Sequence, residues 1–391
     1  MAVAGVICEW NPFHLGHGAL LRRIRTCLGE GTAIVCVMSG NYVQRGVPAL
    51  FDKFTRARAA VECGASLVLE LPLTCAVSSA EGFAGGGVAV LDRLGVVDTL
   101  CFGSESGDLR AIQNVAEVLC GGAYDAVLRR FLEGGGSYAA CRQAAVRTLA
   151  GGDADRLSDP NDNLGVEYCK ALLRRESAIH PLAFRRPGGY HDERPDSENP
   201  SATAVRGLIE RGEDWRPYVP EAAAAVFAGA PRYRLEAGER AMLAVLRSLP
   251  DEAFAALPGS AEGLGNKLRR ACRAQASVAA ILSAVKSKRY AHARLRRMLL
   301  CAYLGLTAAD LQREPPYVRV LAFDGQGRTL LRRAKEKNRI PIVNAGEGEG
   351  DYYALECRAA DLFTLFAEGA CPCGMEKKGR IYYRDSGQQD G

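Results

Sequence analysis

His14 and His17 stand three apart with Gly16 between them, and Ser201, Thr203 and Arg206 form a second polar group far downstream. Imidazoles three apart on a helix share a face, and a glycine between them lets a ligand approach the backbone. Hydroxyls beside a guanidinium suit anionic oxygens. The chemistry this favours is attack at the α-phosphorus of a nucleoside triphosphate. The histidines would steady the α- and β-phosphates, and the second group the β- and γ-phosphates and the departing pyrophosphate. One preorganised donor of this kind is worth roughly 3 kcal/mol in the transition state. A metal reading of the histidine pair lacks a third ligand beside it, and the chain has only five histidines, so no metal site is expected. Cys371 and Cys373, the one close cysteine pair, have no second pair to complete a zinc set.

Both groups need a strand behind them and a helix start beneath them. Val3 to Cys8 is apolar and rich in β-branched residues, as a strand buried on both faces is. Asn11-Pro12 turns the chain, and a helix follows from near His14 to near Gly29. Its first N–H groups and its dipole favour an anion. Pro200 and Ser201 open a second helix in the same manner, with Ser201 as the cap. Further strands are predicted at Ala33 to Met38, Ser66 to Pro72, Thr99 to Gly103 and Ile179 to Phe184. The intervening helices are predicted at Lys53 to Cys63, Glu81 to Leu94, Leu109 to Cys120 and Asn163 to Arg175. Such alternation predicts an α/β fold with a Rossmann-like parallel sheet, whose ligands sit beyond the carboxyl ends of the strands.

Length and composition frame the rest. The 391 residues predict three parts: 1–215 catalytic, 216–312 helical and basic, and 313–391 a small α/β piece with a mobile tail after Gly369. No apolar run is long enough to cross a bilayer, and the 14 cysteines fall mostly in predicted strands and helices, which suits a reducing cytoplasm. Net charge is only +5, yet Gly263 to Ala309 contains no Asp or Glu and carries Lys267, Arg270, Lys286, Lys288, Arg289, Arg294, Arg296 and Arg297. That density of one sign suits an RNA backbone, with Tyr290 available to stack on a base. Neither a membrane nor DNA is expected as partner. Arg332, Arg333, Lys335 and Lys337 form a further basic helix, and Lys53 and Arg56 are candidates for phosphate or RNA, or for a solvated face.

The two phosphate groups together resemble the motifs of the HIGH-type nucleotidyltransferases. The fuller pattern resembles the bacterial tRNA(Met) cytidine acetate ligase family: Glu9-Trp10-Asn11-Pro12-Phe13-His14-x-Gly16-His17, Met38 to Gly46, Leu69-Glu70-Leu71-Pro72, Phe102-Gly103-Ser104-Glu105, Asn161 to Gly165, Tyr190-His191-Asp192 and Lys286 to Tyr290. Trp10 stands where that family usually has tyrosine, and Asp162 where it often has asparagine. The resemblance implies an enzyme that joins acetate to ATP as acetyl-adenylate and acetylates N4 of the wobble cytidine in elongator tRNA(Met), at the anticodon. It implies ATP, with Mg2+, along Ile7, Cys8, Glu9, Trp10, Asn11, Pro12, Phe13, His14, Leu15, Gly16, His17, Gly18, Ala19 and Leu20. Gly103, Asn161 and either Arg185 or Arg186 would be further contacts. The alternatives are an adenylyltransferase for a small molecule and a non-catalytic RNA-binding protein.

Overall fold

Strand β1 (Val3–Cys8) carries no charged side chain and is buried along its whole length, which a strand covered on both faces requires. In the computed structural model, which describes residues 1–186, 200–261, 263–287, 290–369 and 371–385, it is an interior strand of the sheet. Helix α1 (Leu15–Leu28) leads to β2 (Ala33–Ser39), which pairs parallel with β1. A short hairpin, β3 (Tyr42–Val43) and β4 (Val47–Pro48), precedes α2 (Lys53–Glu62) and β5 (Leu67–Leu71). Helix α3 (Ala80–Leu94), β6 (Thr99–Ser104), α4 (Pro160–Arg174), β7 (His180–Arg185) and α5 (Ala202–Arg211) complete the alternating half. Beyond it run mainly helices, including α6 (Leu264–Ala274) and α7 (His292–Leu304), then β8 (Val318–Phe323), β9 (Ile342–Asn344), α8 (Gly350–Phe363), α9 (Met375–Lys378) and β10 (Tyr382–Tyr383).

The sheet runs β10-β8-β5-β2-β1-β6-β7, with β9 beside β8, and every pairing is parallel except β5 with β8. Alternation along the strands divides two cores. Ile7, Val35, Val37, Leu69 and Phe102 face α3, α4 and the helix Leu109–Cys120. Val6, Cys8, Ile34, Cys36 and Met38 face α1, α2 and α5. A third core, with Leu268, Met298, Phe363 and Phe366, lies among the later helices.

Three expectations change. The strands of 313–391 do not stand apart but extend the sheet of the alternating half, because β8 hydrogen-bonds to β5. Within the tail, residues 371–385 are structured: Glu376 is 1% exposed and paired with Lys53 and Arg319, and β10 joins β8. Lys53 and Arg56 do not form a solvated face but are buried against protein partners. Lys53 pairs with Glu70 at 2.6 Å and Glu376 at 2.7 Å. Arg56 donates to the carbonyls of Glu9, Ser39, Gly40 and Phe51. All 14 cysteines are free thiols. Among the described residues no helix is long and apolar enough to cross a membrane, and no group of three or more ligating side chains could hold a metal.

Candidate active site

A cleft of about 470 Å³ opens at the carboxyl ends of β1, β6 and β7. His14 is the N-cap of α1, with extended backbone (φ −140°, ψ 174°). Its amide donates to Nδ1 of His17 at 3.2 Å, and the two rings stack with centroids 3.6 Å apart. Because His17 Nδ1 accepts, the proton of the neutral ring sits on Nε2, where it can serve a ligand. Burial, then Arg186 and Arg206, push His14 down to about 3. Burial, then His14 and Arg186, hold His17 well below the usual imidazole range. At neutral pH the pair therefore offers N–H donors without charge, and Arg23, Arg45, Arg186 and Arg206, which line the same cleft, supply the positive charge.

Ser201 caps α5, its Oγ accepting the Ala204 amide at 3.0 Å. One turn on, Arg206 donates from one nitrogen to the Asn11 carbonyl at 2.6 Å and from the other to Thr203 Oγ1 at 3.1 Å. The two polar groups, distant in sequence, thus face one cavity. The third corner is a reciprocal lock between the β6 loop and the start of α4. Glu105 accepts from the Asn161 amide at 3.1 Å, its side chain at 2.6 Å and the Asp162 amide at 2.9 Å, while Asp162 accepts from Ser104 and the Glu105 amide. Asn161 in turn receives Arg186 at 3.3 Å. A Cβ at Gly103 would come within 2.8 Å of Arg186 Cδ, so glycine leaves room for that side chain.

Of the residues expected at ATP, the cleft is lined by Ile7, Cys8, Glu9, Trp10, Asn11, His14, Gly16, His17, Ala19, Leu20, Gly103, Asn161 and Arg186. Pro12, Phe13, Leu15, Gly18 and Arg185 are not among the lining residues; Phe13 is fully buried in the core. Arg186 rather than Arg185 lines the cleft: β7 ends between them, and the Arg185 side chain lies beside Gly107, where an added Cβ would come within 2.7 Å of Arg185 Cβ. Sequence reasoning gave no site role to Gln44 and Arg45, or to the apolar wall of Ala80, Phe83, Phe102, Leu164 and Tyr168. The family-like strings around Gln44, Phe102 and Leu164 were the available signal.

The acid-free segment divides. Lys267, Arg270, Lys286 and Arg296 are exposed. Arg294 lies across the Tyr290 ring, 5.1 Å from its centroid, so one face of that ring is already covered. Arg297 is half-buried and donates to the Gln44 carbonyl at 3.2 Å, which turns it from the surface toward the cleft loop. Lys288 and Arg289 lie outside the described residues, as do Asn199 and Tyr190-His191-Asp192.

The HIGH Nucleotidyl Transferase family model matches residues 1–377. A tRNA(Met) cytidine acetate ligase of Acetivibrio thermocellus is 33% identical over 365 residues, covering 88% of each chain. One from Syntrophotalea carbinolica is 39% identical over 359 residues, covering 88% of this chain and 84% of its own. Thermotoga maritima TmcAL, solved without ligand, superposes with TM-score 0.90 at 31% identity, over 98% of this chain and 100% of that one. The same protein bound with alpha-thio ATP gives 0.88 at 31% identity over the same shares. The chain belongs to the HIGH nucleotidyltransferase family and, within it, to the tRNA(Met) cytidine acetate ligases.

Proposed function

We propose that this protein is an ATP-dependent ligase that converts acetate and ATP to acetyl-adenylate and pyrophosphate, then acetylates N4 of the wobble cytidine of elongator tRNA(Met). The observation that carries the reading is the convergence of the stacked His14–His17 pair with Arg206 across one cleft. Acetate is already an anion, so adenylation needs no base; it needs alignment and neutralised charge. Neutral His17 would donate from Nε2 to the α- and β-phosphates, Arg206 and Thr203 would hold the departing pyrophosphate, and Gly103, Asn161 and Arg186 would bound the nucleoside. Magnesium would ride on the phosphates, since no cluster of three ligating side chains gathers among the described residues.

The N4 amine is a weak nucleophile because its lone pair is delocalised into the ring, which explains why the acyl group must arrive activated. The exposed Lys267, Arg270, Lys286 and Arg296 would meet tRNA phosphates, with the anticodon directed to the cleft past Gln44. In this division of labour residues 1–215 activate acetate, 216–312 carry the tRNA, and 313–391 buttress the sheet. The setting is the cytoplasm, where ATP and tRNA are found.

Pyrophosphate exchange into ATP that depends on acetate tests the first step; exchange indifferent to acetate would sink the reading. His17→Ala is expected to lower that exchange by roughly 100- to 1,000-fold, the cost of one preorganised donor. Its tRNA affinity, measured by filter binding, should stay near that of the unaltered protein.

A further inference from the structure

The end of β1 splits the cleft into two chemically different halves. Val6 and Cys8 project into the core beneath α1 and α5, and on that side stand His14, His17, Thr203 and Arg206. Ile7 projects the other way, against Gly87 of α3, where a Cβ would meet Ile7 at 2.6 Å. On that side the cleft wall is Ala80, Phe83, Phe102, Leu164 and Tyr168, with the rings of Phe102 and Tyr168 5.5 Å apart.

Among the described residues lining the cleft, Glu9 is the one acid. Its Oε1 accepts the Gln44 amide at 2.6 Å, which fixes the carboxyl without occupying its other oxygen in that bond. It lies within electrostatic reach of Tyr168 on one side and of Arg45 and Arg206 on the other, at the junction of the two halves. Burial raises its pKa above the usual carboxylate range, with the Gln44 amide and the Arg56, Arg45 and Arg206 charges opposing.

We propose that the apolar half receives the unstacked cytosine ring and that Glu9 accepts the proton released by its N4 amine. The inference rests on the acetate-ligase reading above. A pyrimidine removed from its stack is held by aromatic and apolar walls, and a carboxylate is the side chain that accepts from cytosine N4. In the transfer step N4 attacks the carbonyl carbon of acetyl-adenylate. The N4–C bond forms, the bond from that carbon to the phosphate oxygen breaks, AMP departs with the electron pair, and one N4 proton passes to the Glu9 carboxylate. Water then takes that proton. A buried carboxyl titrating nearer neutrality is better matched to such a transfer than a solvated one.

The test uses the full-length protein and in vitro transcribed elongator tRNA(Met). Glu9→Gln retains an oxygen to accept the Gln44 amide but cannot take a proton. Single-turnover transfer is expected to fall by roughly 100-fold or more, the usual range for a lost general base, and to fall further than acetate-dependent pyrophosphate exchange does. The rise of transfer rate with pH should flatten in Glu9→Gln and return in Glu9→Asp. Equal losses of exchange and transfer would overturn the proposal, because Glu9 would then serve ATP or the Gln44 loop. Unchanged transfer would overturn it as well. If the unaltered protein shows no acetate-dependent exchange, it is the ligase reading that has failed, and the proposal with it.

Discussion

His14 gives the site a pH signature of its own. It is 1% exposed and its pKa is about 3 in the folded protein, against an ordinary imidazole value near 6.5 in the unfolded chain. Below that ordinary value the unfolded chain binds a proton that the folded protein refuses. Stability therefore falls as the medium is acidified from about pH 6.5 toward 3 and is fully present above it. His17 shifts in the same direction and adds to the slope, whereas Glu9, raised by burial, opposes it. Comparing variants isolates the histidine: urea midpoints of His14→Gln measured at pH 7.5, 6.5 and 5.5 should decline less steeply than those of the unaltered protein. Parallel declines would mean that the ring is protonated in the folded state.

At the level of elements, the loop lining the cleft between β2 and α2 is held from beneath by buried charge. Lys53, at the start of α2, pairs with Glu70 of β5 and Glu376 of α9, while Arg319 of β8 pairs with Glu70, Glu356 and Glu376. Burial alone would raise the Glu70 carboxyl, yet Lys53 and Arg319 bring it below the ordinary range. Glu356 is left raised by burial and by its neighbour Glu70. Lys53 also donates its amide to Asn41 at 2.9 Å, and a Cβ on Gly40 would strike Glu70 at 2.5 Å, so the network and the loop are in direct contact. Removing one member of a buried pair typically costs about 3–5 kcal/mol because its partner stays charged and unpaired. Lys53→Ala, which leaves Arg319 alone against three buried carboxylates, should lower the free energy of unfolding in urea by an amount of that order. A loss near zero would show that water enters to solvate Glu70 and Glu376.

Over the whole molecule, the basic surface and the cleft share one mechanical connection. Gly46 has φ +77°, and a Cβ there would meet the Arg297 amide nitrogen at 2.6 Å, so α7 lies directly on the Gln44–Val47 loop. An RNA gripped by the exposed face of α6 and α7 would therefore be held beside the cleft entrance. Arg270→Glu combined with Arg296→Glu should weaken tRNA binding and make the slope of log K against log salt shallower by roughly 0.7–0.9 for each phosphate no longer neutralised. The acetate-dependent exchange, which involves no RNA, should be unaffected. An unchanged salt slope would place the tRNA on another surface.

The sequence alone determined what is local. His14, His17, Ser201, Thr203 and Arg206 announce themselves because strand ends, proline turns and helix caps depend on neighbours within a few positions. The alternating half of the sheet was legible for the same reason. Tertiary structure decided whatever depends on partners brought from a distance. Lys53 meets Glu376 across 323 positions, so nothing near either residue marks it as buried. Arg186 rather than Arg185 enters the cleft only because β7 ends where it does. The tail acquires order because Glu376 finds two buried cations, and an isolated charge could be buried there only with such partners to offset its lost hydration.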